Sequence, residues 1–250
     1  MLVFDIETGP LPDEILLQQF DFVPPPQPGE FDPDSVKYGA WKDEAKRAAK
    51  LEEARQAHAA AVENYDRDAT AARDREWNAM VSRAALSPTT GMVLAIGIRR
   101  DGKSGIFAEA TESETLIKFW RKYLACRVEQ TRMVGANIVQ FDLPFLIRRS
   151  WMLGVDVPTT AFTYSGKWVN FDPIFCDIRD LWQLGQKNGC ESSLDFMGRV
   201  LGCGCKTEGI GGADFARLWR GTAEERQQAT GYLLNDLKLT ADVAMRLGVI

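Results

Sequence analysis

Asp5 and Glu7 stand one residue apart in Leu2-Val3-Phe4-Asp5-Ile6-Glu7-Thr8-Gly9, a run that reads as a β-strand a few residues long. Side chains at i and i+2 of a strand share a face, so the two carboxylates project together while Phe4 and Ile6 turn toward a core. Neighbouring carboxylates repel unless a cation lies between them, and hard oxygen ligands suit Mg²⁺ or Mn²⁺. The pair is thus half of a candidate divalent-metal site. Taken alone, the same triplet is also an ordinary solvated strand edge.

Two further segments carry acids. In Val134-Gly135-Ala136-Asn137-Ile138-Val139-Gln140-Phe141-Asp142-Leu143-Pro144 a strand runs through Gly and Asn into a turn, and Pro144 favours a first helical turn. Asp142 reads either as a helix N-cap or as a ligand at the strand-to-helix junction where α/β sheets gather their sites. In Tyr232-Leu233-Leu234-Asn235-Asp236 the tyrosine and the aspartate are four apart and share a helix face, with the leucines toward a core. They are either a surface pair or the completion of a set of four acids with Asp5, Glu7 and Asp142.

The elements that must position these residues follow from pattern. Residues 92–98 and 104–108 read as strands joined by a turn at 99–103. Residues 112–123 form an amphipathic helix with Leu116, Phe119, Trp120 and Tyr123 on one side, 132–135 a strand, and 143–151 a helix. A strand-to-helix passage follows at 175–184, then helices at 193–201 and 231–247. Early strands followed by alternating strands and helices suit a mixed α/β sheet flanked by helices. Prolines from Pro10 to Pro33 mark an irregular surface segment. Residues 41–86, rich in Ala, Glu, Lys and Arg, read as a charged helical insertion. It is either one long helix or a hairpin broken near Asn64-Tyr65-Asp66, and either a solvated projection or an arm that meets substrate or another subunit. The expected organisation is one domain over 1–250 containing this insertion.

A net charge of −5 gives no global basic field, which argues against tight nonspecific binding to nucleic acid but permits a small basic groove. Five scattered cysteines do not make a disulfide framework, and Cys203-Gly204-Cys205 lacks the partners of a zinc site. Met1 runs straight into a strand and no apolar run reaches membrane-spanning length, so the expectation is a soluble cytoplasmic protein without a targeting signal.

FDIETG, GANIVQFDLPFL and YLLND, in that order, resemble the three motifs of DEDD-type 3′–5′ exonucleases, which share a ribonuclease H-like fold. Tyr-x-x-x-Asp is similar to the tyrosine subclass, DEDDy, and the chain resembles stand-alone phage or bacterial exonucleases similar to the family B DNA polymerase proofreading domain. LSPTTGMVLAIGI and SLDFMGRVLG also fit in order, so the resemblance covers nearly the whole chain. The histidine subclass places His five residues before the last acid. Here that position is Gly231, and His58, in the charged segment, is the one histidine of the chain.

The resemblance implies a two-metal phosphodiesterase with two Mg²⁺ or Mn²⁺ ions. Asp5 is shared between the ions, Glu7 and Asp236 hold the first, Asp142 supports the second, and Tyr232 orients the attacking water. The expected products are nucleoside 5′-monophosphates and the expected partner is nucleic acid, chiefly single-stranded DNA 3′ ends. RNA 3′ trimming and a noncatalytic binding module of the same fold are the alternatives. No polymerase segment is seen, so proofreading would act in trans with a polymerase or with replication or repair partners.

Thr8 and Gly9 are candidates for close backbone approach to a terminal nucleotide. Asn137 either contacts the next unit or braces its own turn, and Phe141 either stacks on a base or enters the core. Arg148, Arg149 and Lys206 are candidate phosphate contacts or ordinary solvated charges. Asp177, Asp180 and Asp195 read as caps or surface acids, and Asp242 points away from Asp236.

Overall fold

The computed structural model describes residues 1–39, 42–186 and 190–249, so Trp41, where the expected insertion begins, lies outside the described residues. In chain order the elements are β1 (Leu2–Pro10), α1 (Asp13–Gln19), α2 (Glu44–Ala84), β2 (Gly91–Arg100), β3 (Lys103–Phe107), α3 (Glu112–Val128), β4 (Met133–Gly135) and α4 (Asp142–Met152). Then follow β5 (Phe162–Ser165), β6 (Trp168–Phe171), β7 (Phe175–Asp177), α5 (Ile178–Gln183), α6 (Leu194–Val200), α7 (Gly212–Arg220) and α8 (Ala223–Arg246). The chain divides into two units, residues 1–12 with 83–250, and residues 13–82.

The larger unit is built on a mixed sheet of order β3-β2-β1-β4-β7. β1, β2 and β3 pair antiparallel, whereas β1, β4 and β7 run parallel. The alternation in β1 sends its residues to two cores. Leu2, Phe4 and Ile6 pack with Leu116, Phe119 and Tyr123 of α3 and Leu143 and Phe145 of α4. Val3, with Ala95 and Val134 from neighbouring strands, packs with Phe215 of α7 and Leu233 and Leu237 of α8. Asp5 and Glu7 share the face of Val3, toward α8. This is the expected ribonuclease H-like mixed sheet flanked by helices. The strand period of Phe4 and Ile6 and the helical period of Leu116, Phe119 and Tyr123 predict a mixed sheet flanked by helices, and the family resemblance implies its ribonuclease H-like form.

Two boundaries and two stretches of structure differ from expectation. β1 runs nine residues because Thr8, Gly9 and Pro10 continue the pairing with β2, past a register shift between Glu7 and Thr8 that leaves Leu94 as an extra residue. α8 begins at Ala223, eight residues before the expected start. Thr222 and Glu225 form a reciprocal capping box there, so polar residues start a helix whose apolar stripe appears only later. The β5–β6 hairpin and α7 were not read from the pattern.

Within the smaller unit, α2 is one unbroken helix of 41 residues, about 60 Å long at 1.5 Å per residue. Of the two alternatives the single long helix holds, and the hairpin break at Asn64-Tyr65-Asp66 does not occur, because no Gly or Pro interrupts residues 44–84. The proline-rich segment lies antiparallel along this helix. Phe20 meets Trp77 edge-on, the Tyr65 hydroxyl donates to Pro25 O, a ring nitrogen of His58 is 2.9 Å from Gly29 O, and Arg47 stacks over Tyr38. An extended strap thereby covers what the thin alanine stripe of α2 leaves open. His58 is a strap contact that also packs edge-on against Phe31.

Candidate active site

The four acids act on one another electrostatically beside the middle of β1. Glu7, Asp142, Tyr232 and Asp236 are buried, and Asp5 is half-buried. Each is held by a different device. β4 ends at Gly135, so the Ile6 N–H of β1 has no strand partner beyond it and donates instead to Asp142 Oδ1 at 3.2 Å. Asp142 is therefore not a helix cap. The cap position of α4 is Phe141, which makes no side-chain cap bond. Asp236 reaches the site because α8 lies against β2 at Gly97, the residue paired with Asp5. A Cβ on Gly97 would stand 2.8 Å from Leu237 Cδ1 and 2.9 Å from Leu233 Cδ1, so glycine sets how near α8 comes to the acids.

The electrostatics follow from this crowding. Burial, then the charge of Asp236, raises the Asp5 carboxyl to about 7, against an opposing pull from Lys206. Burial and the charges of Asp5, Asp236 and Asp142 push Glu7 well above the usual carboxylate range. Burial and Asp5 do the same to Asp142, and burial raises Asp236 despite Lys206. Burial, then Asp236, lifts the Tyr232 hydroxyl to about 12, which keeps it protonated at neutral pH. Lys206 Nζ lies 2.6 Å from Asp236 Oδ2 and 3.3 Å from the Tyr232 hydroxyl. Burial works against the lysine charge, but the Asp236 carboxylate outweighs it and holds the ammonium above its ordinary range.

Mutually raised carboxylates mark a cluster in which an added positive charge would be favoured. The Asp236 Oδ1 atom fits this: it is buried and has no hydrogen-bond partner among the described residues. Among the described residues no three His, Cys, Asp or Glu side chains stand close enough together to hold a metal ion, and the Lys206 ammonium stands within the cluster.

The other expected contacts divide. The Thr8 hydroxyl donates to Ala85 O at 2.7 Å, and a Cβ on Gly9 would stand 2.6 Å from Leu94 Cδ1, so both residues are committed to packing β1. Asn137 braces its turn. It takes a left-handed φ of 68°, its N–H donates to Asp177 Oδ1, and its Oδ1 accepts from Arg179. Phe141 packs on Phe145 against the core rather than standing free to stack. Arg149 is no phosphate contact. Its guanidinium is buried in a two-pronged ion pair with Glu112 of α3. Arg148 is exposed, outside the acid cluster's bonded network. Lys206 is partly exposed but not free, being paired with Asp236. Gly231, where the histidine subclass would place its base, is exposed on α8 with open space around it.

Two residues do more here than their spacing tells. Asp177 reads in the sequence as a cap or surface acid. It does cap α5, but it is buried, and its carboxylate accepts from the N–H groups of Asn137, Val139 and Arg179. It thus fixes the turn after β4. Its position at the end of the third parallel strand was the available signal. Arg179, 42 residues from Asn137, offered no spacing to read. Both cations, Lys206 and Arg179, line a cavity of about 580 Å³ with Asp5, Asn137, Ser192 and Asp236.

The net charge is unevenly spread. Residues 13–82 hold fifteen Asp or Glu against nine Lys or Arg, whereas the remainder holds twenty against twenty-one. The acidity of the whole chain therefore says nothing against an anionic ligand for the larger unit. Among the described residues no helix is long and apolar enough to cross a membrane.

No protein-family profile matches the chain, and no curated protein matches it. Among solved structures it is similar to the family B DNA polymerase from the hyperthermophilic archaeon Pyrobaculum calidifontis, at a TM-score of 0.53 and 18% identity over 66% of this chain. The matched part spans only 23% of that polymerase's chain. At this identity the similarity establishes a shared fold, the mixed sheet flanked by helices, and the chemistry must be argued from the residues that the fold brings together.

Proposed function

We propose that the protein is a metal-dependent 3′–5′ exonuclease of the DEDDy type, which hydrolyses terminal phosphodiester bonds at single-stranded DNA 3′ ends and releases nucleoside 5′-monophosphates. The observation that carries this reading is the gathering of Asp5, Glu7, Asp142 and Asp236 from three elements, with the buried Asp236 Oδ1 left unbonded. Two Mg²⁺ or Mn²⁺ ions bound there would polarise the attacking water and neutralise the scissile phosphate. Asp5, half-exposed between the others, is the residue suited to serve both. Glu7 and Asp236 share its face, and Asp142 is fixed from the far side by the Ile6 N–H. The Tyr232 hydroxyl stays protonated and orients water by hydrogen bonding rather than acting as a base. Lys206, which here neutralises Asp236, would be placed to meet phosphate charge.

The test is hydrolysis of matched 3′-ended DNA and RNA oligomers by the purified protein with Mg²⁺ or Mn²⁺. Mononucleotides should appear from DNA, and Asp5→Ala should abolish them. Unchanged activity in that variant sinks the reading. Preferential release from RNA would move the substrate to RNA 3′ ends. No release from either, with no Mn²⁺ binding by calorimetry, would leave a noncatalytic module.

A further inference from the structure

Among the described residues Arg179 is a cation with no anion paired to it. Its Nε donates to Ser192 Oγ at 3.1 Å and its Nη1 to Asn137 Oδ1 at 2.6 Å. Both acceptors are neutral. Both are themselves fixed, Ser192 by burial and by a bond from Gln183, and Asn137 by the Asp177 clamp. Among the described residues no carboxylate lies within ion-pair distance of Arg179, and Nη2 has no hydrogen-bond partner. Glu191 is close enough to feel the arginine charge without pairing to it. A guanidinium held in direction by neutral oxygens keeps both its charge and free donors for a ligand.

The ligand's class follows from the cavity. Asp5 and Asp236 line the same 580 Å³ space as Arg179, Asn137 and Ser192, a size within the range of about 300–1,000 Å³ usual for small-ligand sites. Acids that call for divalent cations and an unpaired guanidinium together suit a phosphodiester chain, one phosphate beside the acids and another on the arginine. We infer that Arg179 binds an internucleotide phosphate of a single nucleic-acid strand lying in this cavity, with Asn137 and Ser192 as the residues that aim it. This rests on the exonuclease reading of the acid cluster and adds to it where the strand runs: toward the C-terminal ends of β4 and β7. It also gives Asn137 a part in substrate binding through Arg179 rather than by direct contact.

The test is fluorescence-anisotropy binding, in Mg²⁺ at several salt concentrations, of a single-stranded oligothymidylate with phosphorothioate linkages at its 3′ end. Arg179→Gln should raise Kd about tenfold, as loss of a charge-assisted hydrogen bond does, and should make the slope of log Kd against log salt shallower by about 0.7. Arg179→Lys should keep the slope while losing less affinity. On the wild-type protein, the oligothymidylate should protect Arg179 from phenylglyoxal, read by peptide mass spectrometry, so the result does not depend on a variant that folds. An unchanged slope in folded Arg179→Gln, or no protection, overturns the inference. Binding without hydrolysis of any DNA or RNA 3′ end overturns the exonuclease reading alone. No binding by the wild-type protein overturns both.

Discussion

Lys206 Nζ and Asp236 Oδ2 form a 2.6 Å ion pair inside the acid cluster, so the chain supplies one cation of its own to a group of carboxylates that repel one another. The other oxygen of Asp236 is buried and unbonded. The arrangement makes the lysine a competitor of a divalent ion for the same carboxylate.

Lys206→Gln should therefore act in opposite directions with and without metal. In chelator the variant loses its internal counter-charge, and stability should fall by roughly 1–3 kcal/mol, less than for a fully buried pair because the lysine is partly exposed. Mg²⁺ should then raise Tm more than it does in the wild type, since no ammonium has to leave. Scanning fluorimetry in both conditions checks this, and an equal metal shift in the two proteins would show that Lys206 does not compete.

The raised carboxyl of Asp5 makes a separate claim about pH. An acid whose folded pKa lies above its unfolded value stabilises the fold at low pH, and that contribution is lost as pH rises through the folded pKa. For Asp5 the window runs from 3.8 to about 7. Metal-free protein should lose stability across it, and Asp5→Asn should flatten that loss and raise Tm at about pH 8. A melting series in chelator that is flat for the wild type over this window would contradict the crowding of the acids.

How much of this was legible depended on whether a relationship was local. Asp5 with Glu7, and Tyr232 with Asp236, are set by one strand period and one helix turn, and all four residues lie where those periods put them. Relationships between distant segments left no mark in spacing. Arg149 reads as a free surface charge beside Arg148 until α3 brings Glu112 to it. Asp177 reads as a cap until the turn after β4 is seen to hang from it. The strap was legible as irregular, but its course along α2 is set by scattered aromatic and carbonyl contacts that no periodicity announces.

Gly97 turns the approach of α8 into a test of position. Alanine there would meet Leu233 and Leu237, which are buried and must shift or move α8 with them beside Asp5. Overpacking of this kind costs about 1–3 kcal/mol. A shift of about 1 Å in Asp236 is enough to lower kcat about a hundredfold. Gly97→Ala should thus lose far more activity than stability. Proportional loss of the two, from melting and oligonucleotide hydrolysis on the same preparation, would deny that Gly97 sets the site.

Arg149 and Glu112 make the opposite case, a pair that serves the fold alone. Both are buried, Arg149 also donates to Pro88 O, and Glu112 accepts from Val93 N. Glu112→Gln leaves a buried guanidinium charge uncompensated, at about 3–5 kcal/mol. Folded Glu112→Gln protein should keep the wild-type salt dependence of oligonucleotide binding. A shallower slope would return Arg149 to the phosphate contacts.

Removing residues 13–82 and joining Pro12 to Arg83 through a short Gly/Ser linker tests whether the smaller unit belongs to the chemistry. The acids, Lys206, Gly97 and Arg179 all come from residues 1–12 and 83–250. The cut ends stay tied down, since Leu11 N–H donates to Thr90 O and the Thr8 hydroxyl to Ala85 O. The truncated protein should keep the Mg²⁺-dependent rise in Tm and the hydrolysis of short oligomers. Excision also takes away fifteen acids and nine bases, so long-range repulsion of a nucleic acid falls. Oligonucleotide binding at low salt should tighten, and the difference from the full chain should fade as salt screens it. A folded truncation that no longer responds to Mg²⁺ would place part of the metal site in the strap or in α2. One that binds more weakly at low salt would make that unit a contributor to substrate binding despite its charge.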